Sequence, residues 1–149
     1  MYLDVDGELG TTELIAALQA FGATCHVPVL DDNRLRFAPF GDTTSWSPNR
    51  YGILEPDGTG SAFVLVEGAE LDLVFVPAVA VDVRGNRVGM GAGWYDRTFA
   101  GSGTSASGAG PTLVGFVHDE QVVDTIEPNA WDVAMHELIT PTRLLRCPD

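Results

Sequence analysis

Nine consecutive residues past the middle of the chain concentrate the groups that could do chemistry: Gly89-Met90-Gly91-Ala92-Gly93-Trp94-Tyr95-Asp96-Arg97. Three glycines at alternate positions let the backbone turn tightly and approach a ligand closely. Successive N–H groups can then converge on one concavity that holds an anion. A helix beginning at Trp94 would turn its free N–H groups into the same pocket. Arg87 and Arg97 flank the loop and Arg84 lies near, three arginines within fourteen residues. A phosphate suits such a site. Asp96 adds hard oxygens, which suit Mg²⁺ shared with a polyphosphate. On glycine spacing alone, a tight turn before a short helix is the simpler reading. No Gly-Lys-Ser/Thr follows, so this is not a Walker A loop. The spacing also lacks the final two-residue gap and the distal acid of a dinucleotide fingerprint.

Elsewhere the residue types read structurally. His26, His118 and His136 have no metal-ligand spacing among them. Cys25 and Cys147 make no ligand or disulfide framework and read as two reduced thiols. No Ser-His-Asp or Cys-His constellation is present. Taken alone, Glu8 reads as a solvated turn residue, Asp132 as a cap for a short helix after it, and Trp94 as core. Trp46 and Trp131 read as packing or loop residues, and Cys25 as packing in its strand.

These groups need a scaffold, and the pattern predicts an α/β one. Tyr2 to Val5 is a short apolar stretch, and Asp6 to Gly10 a turn. Thr11 can cap a helix in which Leu14, Leu18 and Phe21 share a core-facing side, with Glu13 in the first turn and Gly22 as the stop. Thr24 to Val29 and Leu35 to Phe37 read as strands either side of the turn at Asp31-Asp32-Asn33. Residues 40–62 read as a long surface connection. Leu71 to Val76 looks like a strand buried on both faces, as in a parallel sheet. Ala78 to Val83 is apolar up to a turn at Arg84-Gly85-Asn86. Gly101 to Gly110 is a flexible, low-complexity linker. Thr112 to Val117 and Glu137 to Thr140 are further strands. The expected fold is therefore a single α/β domain over residues 1–149, with a mostly parallel sheet flanked by helices.

The chain has 149 residues, 45% of them hydrophobic and 19% charged, enough for one soluble domain with a real core. Its net charge is −13, and all eight basic residues are arginine. Such acidity gives no general pull on nucleic acid or anionic lipid, so neither is an expected partner. No apolar run reaches the length of a membrane span. The N-terminus shows neither the basic nor the apolar region of a signal peptide, so a cytoplasmic location is expected.

Pro77 to Arg97, PAVAVDVRGNRVGMGAGWYDR, resembles the signature of the 5-formyltetrahydrofolate cyclo-ligase (methenyltetrahydrofolate synthetase) family. Further segments are similar in the right order. Tyr2-Leu3, Gly7-Glu8 and Thr11 resemble the family's early strand and turn. His26 to Pro28 sits where the family has a strand ending in proline. Tyr51-Gly52-Ile53-Leu54-Glu55-Pro56 is similar to its Gly-Ile-x-Glu-Pro segment. Glu127-Pro128, Asp132-Val133 and Ile139-Thr140 resemble its C-terminal segment. The chain departs from the pattern in three places. It starts at the first strand, without the family's usual N-terminal basic helical segment, and has no lysine. Ala92 stands where glycine or lysine is usual, and Ala134 where proline is common.

The resemblance implies a scaffold related to the NagB/RpiA/CoA-transferase-like fold. It implies conversion of 5-formyltetrahydrofolate to 5,10-methenyltetrahydrofolate with ATP as cosubstrate and Mg²⁺, and release of ADP and phosphate. The formyl oxygen would be phosphorylated and N10 would close the ring. No protein nucleophile is needed; positioning and electrostatics carry such chemistry. Carried over position by position, Arg87, Val88, Gly89, Met90, Gly91, Ala92, Gly93, Trp94 and Tyr95 would line the ATP phosphates. Leu3, Glu8 and Met90 to Trp94 would border the folate, with the Glu8 carboxylate suited to the N–H donors of a pterin edge. Tyr95 and Arg97 would be catalytic, and Asp96 and Asp132 would hold Mg²⁺. A monomer is expected. The alternative is a truncated, non-catalytic paralogue that binds folate or nucleotide.

Overall fold

The computed structural model describes residues 1–3, 7–41, 44–58, 63–101 and 110–148. At its centre is a four-stranded sheet made of β6 (Leu73–Val76), β9 (Thr112–Phe116), β11 (Glu137–Ile139) and β12 (Leu144–Arg146), in the order β12-β11-β9-β6. β6, β9 and β11 run parallel, and β12 is antiparallel to β11. Side chains alternate between the two faces of such strands, and here both faces are covered. Phe75, Val114, Phe116 and Ile139 face a cluster built from Met1, Tyr2, Ile15 and Cys25. Val74, Val76, Leu113 and Leu138 face the larger cluster, which holds Leu35, Phe37, Val81, Phe99 and Met135. Burial on both sides explains why Leu71 to Val76 is almost uninterrupted apolar sequence.

The remaining strands are mostly antiparallel. β1 (His26–Asp31) and β2 (Arg34–Pro39) form a hairpin, and β5 (Val66–Glu67) joins the outer side of β2. β7 (Ala80–Asp82) pairs antiparallel with β8 (Arg87–Val88) and parallel with β10 (Val122–Val123). β3 (Trp46–Pro48) and β4 (Leu54–Pro56) form a separate hairpin inside the stretch expected to be an open connection. The sheets are thus mixed, not mostly parallel. Among the described residues, helix is limited to α1 (Thr12–Ala20), the six-residue α2 (Trp94–Phe99) and two short 3-10 turns. The antiparallel strands escape a helix-based reading because several are only two or three residues long, too short to show alternation.

α1 lies on the first cluster through Ile15, with Leu14 and Leu18 beside it. Phe21 corrects the expected core face: it sits just beyond the last turn and is 91% exposed. Gly22 stops the helix with φ +84°. Thr11 stands at the helix start, but its hydroxyl does not cap. It donates to the Tyr2 carbonyl at 2.9 Å and so holds the N-terminal segment down. Met1 to Leu3 form no strand; Asp4 to Asp6 lie outside the described residues, as does most of the Gly101 to Gly110 linker. β1 continues through Pro28 to Asp31 rather than ending near the proline.

Candidate active site

α2 is too short to hold itself in place, so packing positions it. Phe99 is 1% exposed, against Phe37 at 6.2 Å between ring centroids, and stacks with Tyr95 at 6.5 Å. Burying one phenylalanine is worth about 1.5–3 kcal/mol. Gly68 makes room for it, because a Cβ there would come 2.6 Å from the Phe99 ring. Thr98 fixes the rotation: its Oγ1 donates to the Trp94 carbonyl at 2.7 Å and accepts the Leu35 N–H at 2.8 Å.

The glycine loop enters α2 through Gly91 and Gly93, both left-handed with φ +87° and +64°. Arg97 braces it from outside. Its Nη1 donates to the Ala92 carbonyl at 2.7 Å and its Nε to the Asn33 carbonyl at 2.6 Å in the β1–β2 turn. Its guanidinium also lies 4.8 Å from the Trp94 ring centre. The N–H groups of Met90, Gly91, Ala92 and Gly93 donate to no described residue. A run of uncommitted N–H groups between left-handed glycines is the geometry of an anion nest.

Beneath this loop lies a compact ionic cluster. Arg87 is 6% exposed; its Nη2 donates to Asp96 Oδ1 at 2.7 Å, and its guanidinium stands 5.7 Å from the Tyr95 ring centre. Asp96 Oδ1 also accepts the Val133 N–H at 3.1 Å. Burial pushes the Tyr95 hydroxyl well above the ordinary tyrosine range, and the nearby Glu8 carboxylate pushes the same way, with Arg87 partly opposing. Tyr95 is therefore a proton-bearing donor at every physiological pH. The influence of Glu8 brings that turn residue to the helix across more than eighty residues of sequence. The hydrogen bonds and ring contacts of the cluster do not include Leu3, which is half-buried beside Tyr2.

Asp132 does not cap a following helix, because none follows. Its Oδ2 accepts the backbone N–H of Asn129 at 2.8 Å and the Asn129 side-chain amide at 3.1 Å. The segment carrying it is stitched to the loop at both ends. Ile126 N–H donates to Asp82 Oδ2 at 3.0 Å, Met135 N–H to the Gly85 carbonyl at 2.8 Å, and Val133 N–H to Asp96. Trp131, on the same segment, is 71% exposed.

Sequence reasoning passed over three features that shape this site. Asp82 is fully buried and takes N–H groups from Arg84, Asn86 and Ile126 and the Asn86 side-chain amide, each at 3.0 Å. Burial raises its carboxyl, but the Asn86 amide and the three backbone donors outweigh burial and hold it below the ordinary value of 3.8. An aspartate just before a Gly-Asn turn was the available signal. Tyr51 and Arg50, from the β3–β4 hairpin, reach Trp94: the rings meet edge to face at 6.5 Å, and Arg50 stands 5.2 Å from the Trp94 ring centre. Glu55 holds that hairpin to β1, its Oε1 accepting the Leu30 N–H at 3.0 Å and the Asn49 amide at 2.8 Å. Leu30, Asp32, Asn49, Arg50 and Glu55 line a cleft of about 360 Å³.

The histidines stay structural. His136 Nδ1 accepts the Leu113 N–H at 2.8 Å, and no group of three metal-ligating side chains occurs among the described residues. Both thiols are buried; burial, then Asp82 and Glu137, pushes Cys147 up to about 11, while Cys25 is also raised, chiefly by burial. No helix among the described residues is long and apolar enough to cross a membrane.

Comparison with known proteins places this geometry. The sequence profile of the 5-formyltetrahydrofolate cyclo-ligase family matches residues 1–141. The chain is 32% identical to the 5-formyltetrahydrofolate cyclo-ligase of Haemophilus influenzae, over 93% of this chain and 73% of that one. It is 31% identical to the Escherichia coli K12 enzyme of the same name, over 97% of this chain and 78% of that one. The NMR structure of Aquifex aeolicus 5,10-methenyltetrahydrofolate synthetase superimposes with a TM-score of 0.76 at 25% identity, covering 99% of this chain and 70% of that one. With a family match over nearly its whole length and the same fold around the loop, the chain belongs to the 5-formyltetrahydrofolate cyclo-ligase family.

Proposed function

We propose that the 89–93 loop and α2, with Glu8 beside them, are where this chain carries out the family's reaction. The activity is that of a 5-formyltetrahydrofolate cyclo-ligase, an ATP-using enzyme of one-carbon folate metabolism. The observation that carries the assignment is the run of uncommitted N–H groups from Met90 to Gly93, in the loop that joins Arg87 to its partners Tyr95 and Asp96.

The chemistry needs the formyl oxygen to become a leaving group. Transfer of the γ-phosphoryl group of ATP to that oxygen does this and releases ADP; N10 of the folate then attacks the formyl carbon and loses its proton, and phosphate leaves with the former formyl oxygen. A phosphoryl group in transit spreads negative charge over its oxygens, so fixed donors aimed at it lower the barrier. The loop N–H groups supply such donors without a lysine, and Arg87 adds a charged one from below. Tyr95, kept protonated by burial and by Glu8, donates and does not act as a base. Glu8 accepts N–H groups from the pterin edge. Trp94 and Tyr51 form an aromatic wall for the flat folate rings, with Arg50 against it. Arg97 serves from outside, holding the loop in register.

The carboxylates also fit a divalent cation. The hydrogen bonds of Asp96 go to Oδ1 and those of Asp132 to Oδ2, which leaves one oxygen on each for another partner. Two carboxylates with water and phosphate oxygens form an ordinary Mg²⁺ environment. Asp96 and Asp132 would hold Mg²⁺, which when bound neutralises charge on the phosphate oxygens.

Equilibrium binding tests the assignment. Asp96→Asn keeps an amide oxygen that accepts from Val133 and Arg87, so it should fold, with lower stability because the buried Arg87 charge loses its counter-ion. It should keep 5-formyltetrahydrofolate binding and lose MgATP binding by about tenfold or more. Unchanged MgATP binding in that variant contradicts the placement.

A further inference from the structure

Arg87 is in an unusual position for a phosphate-binding arginine. Its side chain is 6% exposed, yet only Nη2 meets an acceptor among the described residues, and that acceptor is Asp96 at 2.7 Å. Nε is sealed from solvent with no partner among the described residues. A guanidinium has five donors in a planar fork, so most of its capacity is unused inside a largely desolvated site. Leaving a buried donor unpaired is costly. The head lies directly under the nest: a Cβ on Gly89 would come 3.0 Å from Nη1. Asp96 in turn shares one oxygen between Arg87 and Val133. Arg87 already neutralises this carboxylate through Oδ1, so a divalent cation arriving at the open Oδ2 would compete with it for the same negative charge.

We propose that Arg87 is the exchangeable counter-ion of Asp96, a positioning residue that yields the carboxylate to a divalent cation only when nucleotide phosphate offers its guanidinium a second anion. This rests on the assignment of residues 87–97 to MgATP. The exchange is favourable in that order for a physical reason. Pulling Arg87 from Asp96 with nothing to replace it strands a buried charge, which is strongly unfavourable. With phosphate oxygens above, the same movement gives Arg87 a bidentate partner and satisfies Nε as well. Cation alone therefore binds weakly, and cation and nucleotide assist each other.

Mn²⁺ stands in for Mg²⁺ in the test, with free Mn²⁺ counted by electron paramagnetic resonance and no nucleotide present. Arg87→Met removes the competitor while keeping apolar bulk. It should bind Mn²⁺ alone about tenfold more tightly than the wild type. It should bind ADP more weakly, and the mutual assistance of Mn²⁺ and ADP seen in the wild type should shrink. Equal or weaker Mn²⁺ binding by Arg87→Met overturns the exchange. Asp96→Asn separates the two ideas. If it loses Mn²⁺ while Arg87→Met changes nothing, only the exchange fails. If it alters neither Mn²⁺ nor ADP binding, the assignment of this segment to MgATP fails with it.

A second measurement reads the wild type itself, with a variant used only to assign the signal. The Arg87 Nε–H proton, buried and unpaired, has a distinct NMR signal, assignable among eight arginines by its loss in Arg87→Lys. In the wild type it should move on adding ADP with Mg²⁺ and stay in place with Mg²⁺ alone. A signal indifferent to both ligands together overturns the proposal.

Discussion

Tyr95 shows how far position redefines a residue. In sequence it is one aromatic in a Trp-Tyr-Asp-Arg run; in the fold its ring stacks on Phe99 and lies beside the Arg87 guanidinium, while Glu8 acts on its hydroxyl from another part of the chain. A phenol whose ionisation is opposed by both burial and a carboxylate works as a fixed donor. Tyr95→Phe keeps the stacked ring and removes only that donor. Turnover should fall about 10²-fold while folate binding and the melting temperature hardly change. The pH–rate profile of the wild type should show no loss of activity traceable to a tyrosine near neutrality. Equal turnover in Tyr95→Phe would remove the hydroxyl from the mechanism. The sequence placed Arg87, Tyr95 and Asp96 together correctly, because they lie within ten residues and the loop between them is short. It could not show that Glu8 acts on the Tyr95 hydroxyl, an electrostatic influence set only by tertiary structure. Nor could it distinguish Arg97, whose guanidinium is spent on the Ala92 and Asn33 carbonyls, from Arg87, which is buried in the site.

Among the elements, the β7–β8 hairpin has the greatest influence on the site, because it delivers Arg87 to one side of the loop and is tied to the segment that bears Asp132. Asp82 is its anchor. Five hydrogen bonds, one of them from the Arg84 guanidinium at 3.4 Å, converge on one fully buried carboxylate, and Gly85 takes φ +87° with the Met135 carbonyl where a Cβ would stand. Asp82→Asn keeps the shape but replaces an acceptor with a donor facing Ile126 and Asn86. It should cost about 2–4 kcal/mol at neutral pH. The pH dependence has a defined sign. The folded carboxyl is held below the unfolded value of 3.8, so its contribution is complete above that value and is lost as pH falls through the folded one. Denaturant unfolding should therefore show the gap between wild type and Asp82→Asn narrowing as pH drops from 5 towards about 3. A gap that widens over that range contradicts the assignment. This hairpin was half legible. The Arg84-Gly85-Asn86 turn was read correctly, whereas β8, with two residues, and β10, with two, leave no periodicity to detect. Pro28 misled for a related reason: an edge position lets a strand run through proline, as β1 does.

Across the whole molecule, a parallel core of β6, β9 and β11 is overlaid by antiparallel hairpins that bring their turns to one loop. The β1–β2 turn is tied to it by Arg97, the β3–β4 hairpin reaches Trp94 through Tyr51 and Arg50, and the 126–135 segment reaches Asp96 through Val133. The parallel core was visible in long apolar runs. The β1–β2 hairpin was legible as two strands about the Asp31-Asp32-Asn33 turn; the β3–β4 hairpin was not, since its three-residue, half-exposed strands resemble loops in composition. The family relationship was legible because the chemistry is concentrated in contiguous residues, which a sequence displays directly. The central claim is that this arrangement performs the cyclo-ligase reaction, and one measurement tests it most directly. The purified chain is mixed with 5-formyltetrahydrofolate and MgATP, and 5,10-methenyltetrahydrofolate is followed by its absorbance alongside ADP. The account expects both products to appear together, one ADP for each ring closed, and both to vanish in Asp96→Asn. Binding of folate and nucleotide with neither product formed would contradict it and make the chain a non-catalytic binder.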